Sequence, residues 1–70
     1  MTDTFELEKR LRMKGITKHA AAEFLGLTPY GFGLKVKNRN EFKASEIAKL
    51  QSLLEISQED VQNIFFCKGC

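Results

Sequence analysis

Between residues 17 and 32 the chain reads Thr-Lys-His-Ala-Ala-Ala-Glu-Phe-Leu-Gly-Leu-Thr-Pro-Tyr-Gly-Phe. This stretch constrains the fold more than any other. Thr17 and Thr28 are each placed to cap a short helix, because a threonine oxygen can accept one of the backbone N–H groups that a first helical turn leaves unbonded. Pro29 follows Thr28 at the first helical position, where its missing N–H costs nothing. Gly26 sits between the two segments and is free to take the left-handed conformation of a tight turn. The prediction is a pair of short helices sharply bent against each other.

A chain of 70 residues fits one small domain, and a domain of that size buries only ~60% of its unfolded surface. Every helix must therefore contribute to a shared core. With 43% hydrophobic and 29% charged residues the chain is too apolar to be a disordered tail. The balance of 11 basic against 9 acidic residues, net +2, is too small to name a partner, so the placement of charge matters more than its sum. No apolar run approaches the ~20 residues of a membrane span, and Met1-Thr2-Asp3-Thr4 lacks the charged and apolar regions of a signal peptide. The expected location is cytoplasmic, where disulfides are rare, and no membrane partner is expected.

Helical periodicity runs throughout, which predicts an all-α fold. A first helix begins after Thr2 or Thr4 as cap, carries Leu7 and Leu11 at i, i+4, and closes at Lys14-Gly15. Ile16 precedes the Thr17 cap as an apolar anchor. The second helix covers Lys18 to Leu25, with Ala21, Ala22 and Leu25 inward; the short alanines permit close approach of its neighbours. The third runs from Thr28 to about residue 37, anchored by Phe32 and Val36, while Gly31 and Gly33 weaken it by ~1 kcal/mol each relative to alanine. Lys37-Asn38-Arg39-Asn40 forms a basic loop, and Phe42 plugs the core behind it. Ile47, Leu50 and Leu54 mark a fourth helix from Ala44 to Leu54. Ser57-Gln58-Glu59-Asp60 opens a fifth, whose Val61, Ile64 and Phe65 face inward. No repeat or second domain is visible: residues 1–66 form the domain and 67–70 a tail.

Four blocks in this order carry a family resemblance: Gly15-Ile16-Thr17; Ala22-Glu23-Phe24-Leu25-Gly26-Leu27-Thr28; Lys37-Asn38-Arg39-Asn40-Glu41-Phe42; and Glu46-Ile47 with Leu54-Glu55-Ile56-Ser57 and Ile64-Phe65-Phe66. Over about residues 5 to 66 the chain resembles the Cro/lambda-repressor-like, XRE-type helix-turn-helix family. The phenylalanine after the basic loop and the terminal Phe-Phe are similar to short phage and prophage regulators of Gram-positive hosts. The resemblance implies a compact five-helix lambda-repressor-like DNA-binding domain, in which one helix of the helix-turn-helix enters the major groove. Members bind operator DNA, usually as dimers, and set the choice between lysogenic and lytic expression. Carried onto this chain, Thr17 and Lys18 open helix two at the phosphates, and Pro29, Tyr30, Gly33 and Leu34 occupy base-reading positions. Lys37 through Asn40 correspond to the backbone-contacting loop. The chain departs from the pattern on the exposed face of helix three, where the family often has Gln, Arg, Ser or Thr. That departure removes the bidentate Arg–guanine and Gln–adenine pairs, each worth ~1–3 kcal/mol of discrimination.

The expected DNA-facing set is therefore Thr17, Lys18, His19, Thr28, Pro29, Tyr30, Gly31, Gly33, Leu34, Lys35, Lys37, Asn38, Arg39 and Asn40. Helix-start N–H groups and these cations suit phosphate oxygens. Two readings stand for several members. Tyr30 either steadies helix three as a partly buried ring or reaches a phosphate, base edge or thymine methyl. Gly31 and Gly33 allow close approach either of helix two or of a DNA backbone. Phe24 is expected in the core, the alternative being a protein interface. His19 is read as a surface residue beside the first phosphate, with no metal site. Cys67 and Cys70, a C-x-x-C pair at the chain end, are read as free thiols on a frayed tail, the alternative being a disulfide or an intermolecular zinc clamp. No nucleophilic triad, phosphate-cradling glycine loop or framed carboxylate pair is present, so neither an enzyme nor a cofactor is expected.

The resulting expectation is a transcriptional regulator of phage or prophage origin that binds double-stranded DNA. Its homodimer would form through the C-terminal helix and Phe65-Phe66. The alternative is a protein-interaction module, an antirepressor or co-repressor that binds a larger repressor protein through Phe24, Tyr30 or the C-terminal face.

Overall fold

The computed structural model describes residues 1–69. Five helices follow one another: α1 (Thr4–Met13), α2 (Lys18–Leu25), α3 (Pro29–Val36), α4 (Ala44–Leu54) and α5 (Gln58–Phe65). No strand occurs among the described residues, and the fold is all-α. α2 packs on α3 and α4, while α5 packs on α4 and α1.

The helix starts obey side-chain capping. Thr17 Oγ1 accepts from the Ala20 amide at 3.0 Å, Thr28 Oγ1 from the Gly31 amide at 3.0 Å, and Ser57 Oγ from the Asp60 amide at 3.1 Å. At α1 the cap is Asp3, whose carboxylate accepts from the Glu6 amide at 3.2 Å; neither Thr2 nor Thr4 caps it. Both threonines are drawn into tertiary bonds instead. The Thr4 hydroxyl donates to Val36 O at 2.5 Å, and the Thr2 backbone is held by Asn38.

The ends of the first four helices share one closure. The amide of a left-handed residue bonds to the carbonyl three residues back, and the next amide to the carbonyl five residues back, the paired pattern of a Schellman motif. Gly15 and Ile16 donate in this way to Arg12 O and Leu11 O at 3.0 and 2.9 Å. Gly26 and Leu27 donate to Glu23 O and Ala22 O at 3.0 and 2.9 Å. Asn38 with Arg39 closes α3, and Glu55 with Ile56 closes α4. Gly15 and Gly26 adopt φ of 69° and 76°, as their positions predict; Asn38 at 63° and Glu55 at 54° do the same without being glycine.

The core takes its residues from every helix: Leu7, Leu11, Ala21, Ala22, Leu25, Phe32, Val36, Leu50, Leu54, Val61, Ile64 and Phe65, together with Ile56. Phe42 lies against it as expected. Its ring meets Phe32 edge-on at 5.9 Å and Phe65 at 5.5 Å, geometry that favours the positive edge of one ring over the negative face of the next. Phe24 departs from expectation, being 49% exposed. Ala21, Ala22 and Leu25 define the inner face of α2, and at ~100° per residue position 24 is turned well away from it.

The N-terminal segment ties distant parts of the chain together. The Asp3 amide donates to Ile64 O at 2.6 Å, and Cys67 N–H donates to Met1 O at 2.9 Å. The start of the tail is thus tethered rather than frayed. Cys67 is disulfide-bonded, which corrects the free thiol expected there; Cys70 lies outside the described residues.

Candidate nucleic-acid interface

The pair α2 and α3 presents two capped helix starts and one outward stripe. Phe32 and Val36 fix the inner side of α3. At ~100° per residue, Tyr30, Gly33, Leu34 and Lys37 then fall together on the opposite side. Tyr30 is 78% exposed, so the partly buried reading of this ring does not hold. Leu34 is half-buried and Lys37 exposed.

The two glycines of α3 separate. A Cβ at Gly31 would meet Thr28 Oγ1 at 3.1 Å, whereas one at Gly33 would meet nothing within 4 Å. Gly31 therefore has a local reason, room for the cap of its own helix. Neither glycine makes space for α2, which corrects one of the two expected roles.

The basic residues divide in the same way. Lys35 points to the opposite flank of α3 from the stripe, and its ammonium lies 2.6 and 2.8 Å from the two carboxylate oxygens of Glu46. Side-chain exposure in this pair is only 11% and 8%. Glu46 also accepts from the Lys43 amide at 2.8 Å, capping the start of α4. Burial pushes its carboxyl pKa upward, but the bonds from Lys35 and the Lys43 amide, with the nearby positive charge, outweigh this and hold it below the usual carboxylate range. The structure thus gives Lys35 an internal partner in place of the expected surface role.

Asn38 is likewise engaged. Its Oδ1 accepts from the Thr2 amide at 2.7 Å and its Nδ2 donates to Thr2 O at 2.9 Å. Lys18 pairs with Glu8, and His19 Nε2 lies 3.6 Å from Glu23 in an exposed i, i+4 pair. Among the described residues no group of three metal-ligating side chains occurs. Lys37 and Arg39 have no ion-pair partner among the described residues, and both are exposed with Asn40. The loop that carries them is folded back on α3, because Arg39 and Asn40 amides both donate to Leu34 O, at 2.8 and 3.3 Å.

The resulting charge pattern is one-sided. No acidic residue occurs between Glu23 and Glu41, so α3 and its following loop carry only positive charge. Elsewhere acids and bases neutralise each other: Glu6 with Lys9 and Arg10, Arg10 with Asp60, and Lys14 with Glu55. The acid-free run is visible in the sequence. The partners that remove Lys35 and Asn38 from it are not, apart from Glu46 standing three residues beyond Lys43, the spacing of a capping glutamate.

Neither a protein-family model nor a curated protein sequence matches this chain.

Proposed function

We propose that the protein binds double-stranded DNA and acts as a transcriptional regulator of the phage or prophage type, with α3 in the major groove. The observation that carries this reading is the acid-free stretch with exposed Lys37 and Arg39 at the end of an outward stripe. Phosphate oxygens are the natural complement to such a surface, and helix-start N–H groups at Lys18 and Tyr30 lie beside it. The phosphate-contacting set is Thr17, Lys18, Lys37, Arg39 and Asn40; Lys35 and Asn38 hold that surface in shape. A homodimer would let two copies span half-sites about one helical turn apart. Phe65 is only 4% exposed while Phe66 is 52% exposed, so Phe66 rather than Phe65 is the C-terminal contact available to a second copy.

Salt dependence tests the reading. Affinity for duplex DNA should fall steeply with salt, and Lys37→Ala should reduce the logarithmic slope by about 1. Absence of any complex at low salt with DNA from the protein's own upstream region would overturn it. A second reading is favoured by one specific observation, the simultaneous exposure of Phe24 and Tyr30. On that reading the protein is an antirepressor or co-repressor, and copurification with a larger repressor in place of DNA binding would support it.

A further inference from the structure

We infer that the outward stripe of α3 reads thymine, through the C5-methyl group, so that the preferred DNA carries thymines at the steps facing Tyr30 and Leu34. The inference rests on the DNA-binding reading and specifies its base readout.

The argument starts from what α3 lacks. A major-groove edge offers hydrogen-bonding groups at every base, but only thymine adds a methyl. Guanine is read by a guanidinium or ammonium, and adenine by a carboxamide. The stripe Tyr30–Gly33–Leu34 holds none of these. Lys35 is turned aside onto Glu46, and Thr28 Oγ1 is bonded to the Gly31 amide. Lys37 stands at the last turn, next to Arg39, where phosphate is the nearer target. The side chains left to face bases are one phenol ring, whose single hydroxyl both donates and accepts and so selects no base by itself, and one branched aliphatic, spaced i, i+4.

Gly33 lies between them and sharpens the point. It is the α3 glycine whose missing Cβ no neighbour requires. Its absence leaves a notch flanked by an exposed ring and a half-buried leucine. A methyl group is the feature of a base edge that gains from such a notch, since its transfer out of water is favourable and needs no directed partner. The acid-free stretch carries the DNA to this contact through Lys37 and Arg39, whereas an apolar protein segment would find at the rim two cations with no ion-pair partner among the described residues.

The test compares two duplexes of alternating dA and dT, one of them with deoxyuridine in place of thymidine. The two differ only by the methyl. At low salt the thymine duplex should bind more tightly, by about fourfold for each methyl contacted. Gly33→Ala should bring the ratio toward 1 while making the fold more stable, so its loss of discrimination cannot reflect unfolding. Leu34→Ala should do the same to the ratio. Equal, salt-sensitive affinity for both duplexes would overturn the thymine inference and leave DNA binding standing. A ratio unchanged in both variants would also overturn it. No binding to either duplex at low salt would overturn the DNA-binding reading itself, and the inference with it.

Discussion

Lys35 in the last turn of α3 grips both carboxylate oxygens of Glu46 in the first turn of α4, with neither side chain more than about one-tenth exposed. This pair ties the end of α3 to the start of α4 across the basic loop. Removing one partner leaves a charge buried alone, which typically costs about 3 kcal/mol or more. Lys35→Ala should therefore lower the urea midpoint strongly, a large loss for a domain of this size. The double variant Lys35→Met with Glu46→Leu should recover most of it, because an apolar pair of similar volume carries no desolvation cost. Circular dichroism with urea titration separates the two outcomes.

The same carboxylate makes stability depend on acid. Glu46 has its folded pKa below the usual range, despite a burial effect in the opposite direction, because Lys35 and the Lys43 amide favour the charged form. A group with a depressed folded pKa contributes stability above its unfolded pKa and loses that contribution as pH falls through the folded value. Wild-type protein should therefore outlast Glu46→Gln near neutral pH. The gap should close in the acid range once the folded carboxyl protonates. Thermal midpoints measured across that range check the sign: a gap that widened on acidification would contradict it.

Asn38 yields a different test, because it serves both backbone and side chain. Its left-handed φ of 63° closes α3, and its amide exchanges two bonds with the Thr2 backbone. Asn38→Gly keeps the backbone conformation and deletes the clasp, with an expected loss of about 1–2 kcal/mol. Asn38→Ala adds the strain of a left-handed alanine and should cost more. In DNA binding, neither variant should change the logarithmic salt slope, whereas Arg39→Ala should. Equal slope changes for Asn38→Gly and Arg39→Ala would place Asn38 on phosphate after all.

How far the sequence reaches is clear from these residues. Local signals were legible: Thr17, Thr28, Ser57, Gly15 and Gly26 act within a few residues of themselves, and the helix bounds follow from them. The inward sides of α2, α3 and α5 were legible too, because periodicity fixes direction. Pairings across the fold were not. Asn38 meets Thr2 and Thr4 meets Val36 over 36 and 32 residues, and nothing in either neighbourhood names the other. Glu55 closes α4 in a conformation that usually asks for glycine, so that turn had no compositional mark. Phe24 shows the opposite error, in which apolar identity outweighed the position on the helix. In the expected DNA-facing set the charge type was readable, but the internal partner that occupies a charge, as Glu46 occupies Lys35, was not.

Two glycines in the central helix pair should respond to alanine with opposite signs. Gly26 has φ of 76°, a left-handed conformation in which a side chain is strained even though a Cβ there would meet nothing within 4 Å. Gly26→Ala should cost about 1–2 kcal/mol. Gly33 is helical, with equally open space at its Cβ position and no left-handed φ. Alanine there removes backbone freedom from the unfolded chain and should stabilise by up to about 1 kcal/mol. Paired urea titrations decide the matter, with similar m values expected for both variants. Destabilisation by Gly33→Ala would mean that the stripe of α3 is less open than its geometry indicates, and would remove the notch between Tyr30 and Leu34 on which thymine readout depends.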